Sequence, residues 1–99
     1  MMKLAEKVYY YCKKVPRGKV TTYGEIARVI GTKGYRAVGG ALNRNPHAPV
    51  VPCHRVVNSK GELHGFAWGI NKKELMLKKE GITITKGKVD LKKYGYKFG

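Results

Sequence analysis

The chain has 99 residues, 42% of them hydrophobic, which suits one domain with a modest core. Lys and Arg number 21 against 6 Asp and Glu, a net charge of +15, so the expected partner is a polyanion: DNA, RNA or an anionic membrane. No stretch reaches the length of a membrane span, and the opening MMKLAEKVYYYCKK is too charged for a signal peptide.

Residues 2–14 read as an amphipathic helix, with Leu4, Val8, Tyr11, Cys12 and Val15 on one face. Cys12 is therefore expected in the core. Pro16–Lys19 is a turn. Thr22 is a candidate N-cap, with Glu25 completing a capping box, and the helix it opens stops at Gly31. A second helix is expected over Tyr35–Asn43, YRAVGGALN. Two short helices joined by a tight, Gly-containing turn form a helix-turn-helix candidate. Gly39 and Gly40 are costly inside a helix and imply close approach to another backbone, either a partner helix or DNA.

Residues 45–49 are a loop leading to VPCHRVV, where Val50, Val51, Val56 and Val57 are expected to be buried. Asn58–Gly61 turns the chain, and HGFAWG at 64–69 is a second glycine-bounded loop. Asn71 with Glu74 reads as a capping box for a helix reaching Glu80, which Gly81 ends. Ile82, Ile84, Val89 and Leu91 flank Lys86-Gly87 as a small hairpin, and the tail KKYGYKFG is expected to fray. The fold class expected is mainly α with small β hairpins, a winged-helix-like module.

Cys53 and His54 are adjacent. The pair could be a metal half-site, a nucleophile with its base, or residues of a buried strand. Without C-x-x-C or H-x-x-x-H spacing, no metal site is expected. A strand would point the two side chains to opposite faces, so His54 reaches Cys53 only if the backbone turns or a water bridges them. A base also needs an orienting acid. Glu80 sits at a helix end whose dipole disfavours a carboxylate. From spacing alone, it reads first as an exposed partner of nearby lysines. Composition by itself favours a plain DNA-binding regulator with a core cysteine.

The runs PRGKVTTYGEIA (16–27), RAVGGALNRNP (36–46), PCHRVV (52–57) and LMLKKEG (75–81) occur in order. Together they resemble the C-terminal, DNA-binding active-site domain of the O6-alkylguanine-DNA alkyltransferases, over roughly residues 4–85. The resemblance implies direct transfer of a methyl group from O6-alkylguanine in double-stranded DNA to Cys53. The damaged nucleotide is flipped out from the minor groove, and the protein is consumed in one turnover without a cofactor. It implies His54 as proton acceptor through a water, Glu80 as its orienting carboxylate, Asn45 as holder of the turn before the active-site loop, and Tyr23 as donor at the damaged base. It assigns Thr22, Tyr23, Arg36, Ala37, Gly39, Gly40 and Arg44 to DNA, with Arg36 entering the base stack. Ala41 joins the small residues that allow close approach. Val56, Phe66, Ala67 and Trp68 are assigned to the base pocket.

The chain is expected to act as a monomer, cytoplasmic and nucleoid-associated, without the N-terminal domain found in many relatives. Trp68 should narrow the pocket, so that methyl is accepted better than benzyl. Lys13, Lys14, Arg17, Lys19 and Lys33 are further phosphate candidates. The resemblance extends to non-catalytic alkyltransferase-like sensors, which carry tryptophan at the acceptor position. A cysteine stands there in this chain.

Overall fold

The computed structural model describes residues 2–47, 50–63 and 69–98. Among these residues there are five helices: α1 Leu4–Cys12, α2 Tyr23–Ile30, α3 Tyr35–Asn43, α4 Ile70–Lys79 and α5 Leu91–Tyr94. Four two-residue strands join them, β1 Thr21–Thr22, β2 Val56–Val57, β3 Ile84–Thr85 and β4 Lys88–Val89, and a 3-10 turn covers Cys53–Arg55. The fold is mainly helical and of helix-turn-helix type, with α2 and α3 as the pair.

α1 buries Val8 and Cys12, and Val15 is buried just beyond it. Burial pushes the Cys12 thiol up to about 12, so it stays protonated at neutral pH and packs as a small hydrophobe. α2 starts where the Thr22 hydroxyl accepts the Glu25 N–H at 3.0 Å. The Glu25 carboxylate turns instead to the Arg28 guanidinium and to the Phe98 N–H at 2.8 Å. α3 spans the expected residues and is tied to α1 by the Tyr9 hydroxyl, which donates to the Ala41 carbonyl at 2.7 Å. Its inner face buries Val38, Ala41 and Leu42, while Tyr35, Arg36 and Ala37 are exposed.

Two hydrophobic cores result. One holds α1, α2 and α3 together through Val8, Ile26, Val38, Leu42 and Val56. The other gathers Val20, Val57, Leu63, Leu77, Ile82 and Val89 under the β3–β4 hairpin. β1 pairs with β2 in parallel, Thr21 opposite Val56, between the two cores. Successive strand residues face opposite ways, so Val56 enters one core and Val57 the other. This pair replaces a second hairpin; the β3–β4 hairpin forms as expected.

Three local expectations are corrected. α4 is N-capped by Gly69, which puts Asn71 inside the first turn, and Glu74 pairs with Lys78 at 3.1 Å. Val50 is exposed. The tail does not fray through residue 98: Phe98 is buried, and the Arg28 guanidinium donates to its carbonyl at 2.8 Å. An apolar ring at the end of a basic segment gains more from the α1–α2 core than the short segment loses in freedom.

Gly61 is a tightly constrained glycine. Its φ is +79°, and a Cβ there would collide with the Val89 carbonyl oxygen. Its own carbonyl accepts the Val89 N–H at 2.8 Å, so the turn is pinned to the hairpin from both sides. Gly61→Ala is expected to lower stability by about 2–4 kcal/mol, read as a shift in the urea midpoint. A shift below a few tenths of a kcal/mol would show that the turn relaxes freely.

Candidate active site

Cys53 opens the 3-10 turn after Pro52, and its N–H donates to the Val51 carbonyl at 2.9 Å. The turn removes the strand objection, because side chains of a tight helical turn do not alternate between two faces. Asn45 sets the approach. Its Nδ2 donates to the Val51 carbonyl at 2.7 Å, and its Oδ1 accepts the His47 N–H at 2.9 Å. One side chain thus closes the loop between α3 and the 3-10 turn. Cys53 is 6% exposed and His54 3%.

His54 Nε2 lies 2.8 Å from Glu80 Oε2. Arg55 forks onto the same carboxylate, Nε on Oε1 and Nη2 on Oε2, both at 2.8 Å. Its Nη1 reaches the Val15 carbonyl at 2.9 Å. Glu80 caps the C-terminus of α4, where Gly81 takes φ +87° and stops the helix. The helix dipole opposes a carboxylate there, and the bidentate guanidinium offsets it. Burial alone would raise the Glu80 carboxyl, but the hydrogen bonds from Arg55 and His54 outweigh it and hold the group below its ordinary value. Burial pulls His54 below its ordinary value despite Glu80, so the imidazole is neutral at pH 7. An ionised carboxylate only accepts, which places the single ring proton on Nε2 and leaves the lone pair on Nδ1. The His54–Glu80 contact is therefore a hydrogen bond to a neutral ring, and Arg55 is the counter-charge.

Lys73 is a site feature that the sequence reading missed. It lies on the inner side of α4 with no exposed surface, and its Nζ donates to the Val56 carbonyl at 2.5 Å. The ammonium also stands 6.0 Å from the centre of the Tyr23 ring. Burial lowers it to about 8, against the opposing fields of Cys53 and Cys12. Tyr23, first residue of α2, is pushed by burial up to about 12, so its hydroxyl keeps its proton. Cys53, Tyr23 and Lys73 thus share one buried neighbourhood. Nothing in NKKELMLKK marks which lysine turns inward; the Leu77 register four residues on is the only signal.

The remaining candidates divide. Arg36, Ala37 and Arg44 are exposed on α3 or at its end, and a Cβ added to Gly39 would meet nothing within 4 Å beyond its own helix among the described residues. A partner helix therefore does not explain Gly39. A Cβ on Gly40 would come 3.1 Å from the Arg44 guanidinium, the far end of a long side chain. Thr22 is engaged as the α2 cap. The Val56 side chain is fully buried in the core, and its carbonyl accepts the Lys73 ammonium. Phe66, Ala67 and Trp68 lie outside the described residues. Of the phosphate candidates, Arg17 donates to the Lys79 carbonyl and Lys19 to the Lys93 carbonyl, while Lys13 and Lys33 are exposed. Among the described residues no group of His, Cys, Asp and Glu could hold a metal ion, and no helix is long and apolar enough to cross a membrane.

Residues 3–82 match the family model described as 6-O-methylguanine DNA methyltransferase, DNA binding domain. The methylated-DNA–protein-cysteine methyltransferase of Methanosarcina acetivorans is 52% identical over 77 residues, covering 77% of this chain and 49% of that protein. The enzyme of the same name from Thermococcus kodakarensis is 47% identical over 78 residues, 78% of this chain and 44% of the relative. The chain spans about half the length of these curated relatives. Among solved structures, S. pombe Atl1 in complex with damaged DNA containing O6-carboxymethylguanine superposes with a TM-score of 0.84 at 35% identity, covering 97% of this chain and 99% of that one. The O6-methylguanine-DNA methyltransferase of Pyrococcus kodakaraensis gives a TM-score of 0.74 at 44% identity, over 83% and 48% of the two chains.

Proposed function

The chain belongs to the family of the 6-O-methylguanine DNA methyltransferase DNA-binding domain, and from that premise we propose that it repairs O6-alkylguanine in duplex DNA by taking the alkyl group onto Cys53. The observation that carries this reading is the network of His54, Glu80 and Arg55 directly after the thiol, since a structural cysteine has no use for an oriented neutral imidazole.

The exposed face of α3 and its small residues enter the minor groove, and Arg36 fills the gap left by the flipped nucleotide. The O6-linked carbon then lies against Cys53. The thiol gives its proton to His54 Nδ1 through a water, Glu80 fixing the ring and stabilising the imidazolium that forms. The buried Lys73 ammonium favours the thiolate. Sulfur forms a bond to the alkyl carbon as the carbon–O6 bond breaks, and the electron pair passes to the purine. The Tyr23 hydroxyl donates a proton to the purine as this charge develops. It is reprotonated by the proton first taken from Cys53, leaving guanine and S-alkylcysteine. The thioether cannot leave again, so each molecule reacts once. The domain works as a monomer and supplies the active-site half of its longer relatives.

The same resemblance admits a second reading, a sensor that binds the lesion without reaction, and Atl1 matches nearly the whole of both chains. Cys53 at the acceptor position favours transfer. Intact-mass spectrometry after incubation with an oligonucleotide carrying one O6-methylguanine separates the two. The expected result is one methyl mass per protein, mapped to Cys53 and lost in Cys53→Ala, with lesion binding retained in the variant. Lesion-selective binding without an adduct in the unaltered protein would establish the sensor.

A further inference from the structure

Residues 83–98 follow the segment matched by the family model and carry five lysines against one aspartate. Residues 94–96 of this segment are docked along β1. The Val20 N–H donates to the Tyr94 carbonyl at 2.9 Å, and the Tyr96 N–H returns to the Val20 carbonyl at 2.7 Å. The Thr21 hydroxyl donates to the Tyr96 carbonyl at 2.9 Å. Phe98 is buried beyond them. The segment therefore runs beside the start of α2.

Between the two lies a groove of about 620 Å³. Thr21, Thr22 and Glu25 form one wall, and Lys92, Tyr96 and Lys97 the other. Glu25, the carboxylate on this surface, is matched by the Arg28 guanidinium at 2.7 Å. Lys92 and Lys97 are exposed, so the groove presents net positive charge. Its floor is largely apolar, with Val20 and Leu91 beside the Tyr96 ring, and the exposed Lys92 and Lys97 ammonium groups stand along one wall, a pairing of apolar surface and cations that suits a sugar-phosphate strand. Its location is equally specific. Thr22 lines the groove and directly precedes Tyr23, the residue the repair reading places at the damaged base, so the groove adjoins the N-terminus of α2.

We propose that the groove between β1–α2 and the C-terminal segment is a second DNA contact, with Lys92 and Lys97 holding backbone phosphates of the strand that flanks the damaged nucleotide. The inference rests on the DNA-repair reading above. It gives the tail a function besides closing the core: lysines contributed after the matched family segment lengthen the footprint on DNA.

The test is the salt dependence of binding to a duplex containing one O6-methylguanine, followed by fluorescence anisotropy. Each phosphate contact contributes about 0.9 to the slope of log affinity against log salt. The double variant Lys92→Gln with Lys97→Gln should reduce that slope by about 1.8. Lys60→Gln with Lys88→Gln removes the same charge from a second, 380 Å³ groove on the hairpin side and should leave the slope unchanged. An unchanged slope in the first variant, or equal losses in both, overturns the inference. Methyl transfer to Cys53 is measured on the unaltered protein in parallel. Transfer with no slope change in the first variant refutes the groove alone, whereas no lesion binding by the unaltered protein refutes the repair reading and the groove with it.

Discussion

Glu80→Gln is expected to slow methyl transfer to Cys53 by about 100-fold or more, and to cost about 3 kcal/mol of stability. The substitution keeps the shape of the side chain and removes its charge. In the native site two carboxylate oxygens accept three donors: His54 Nε2, Arg55 Nε and Arg55 Nη2. Glutamine offers one carbonyl oxygen for these three, and its amide N–H groups must face a donor whichever way it is turned. Either Arg55 or His54 loses its acceptor. If Arg55 loses it, a guanidinium only 17% exposed is left without a counter-charge. If His54 loses it, the ring can place its proton on Nδ1, the nitrogen that in the proposed reaction takes one from the thiol. The stability loss is set at the low end for breaking a buried pair because Arg55 keeps some contact with water. Single-turnover rates measured well below the variant's melting point separate the two effects. A folded variant within a factor of three of the native rate would remove Glu80 from the reaction and leave it a structural clamp.

What the sequence made legible was local. The boundaries of α3, the Thr22 cap, the stop at Gly31 and the β3–β4 hairpin depend on a few contiguous residues with strong conformational preferences, and each formed where expected. Cys12 was assignable to the core because helical periodicity fixes its face. What failed depends on distant pairing. The β1–β2 strands are two residues long and exist only because Thr21 meets Val56, 35 positions apart, which no local pattern encodes. Docking of Phe98 relies on Glu25 and Arg28, 73 and 70 residues earlier. Asn71 was a plausible cap by composition, but the chain enters α4 through Gly69. Glu80 shows the limit from the other side. Its dipole-opposed position marked it as unusual, yet an exposed partner of lysines fitted the spacing better. Only the fold brings Arg55 and His54 onto it, and the resemblance had implied the histidine without the arginine.

Lys73→Met should move stability and rate in opposite directions. An unfolded chain holds the lysine proton up to about 10.5, whereas burial in the folded protein releases it at about 8. Below pH 8 both states are protonated, and the fold bears the full cost of a buried charge. Between pH 8 and 10.5 the unfolded state binds more protons, so stability rises with pH across that window, by about 3 kcal/mol when complete. Methionine has similar length and no charge. At pH 7 the variant should gain about 1–3 kcal/mol, and its stability should lose the rise above pH 8. A cation held at such cost beside Cys53 and Tyr23 points to work on the thiolate rather than on the fold. Transfer at pH 7 should accordingly fall by about 10- to 100-fold. Urea melts at pH 7 and pH 10, together with single-turnover rates across pH, check both halves. Should the variant prove less stable and equally fast, Lys73 serves to anchor the Val56 carbonyl, and thiolate stabilisation must come from His54 alone.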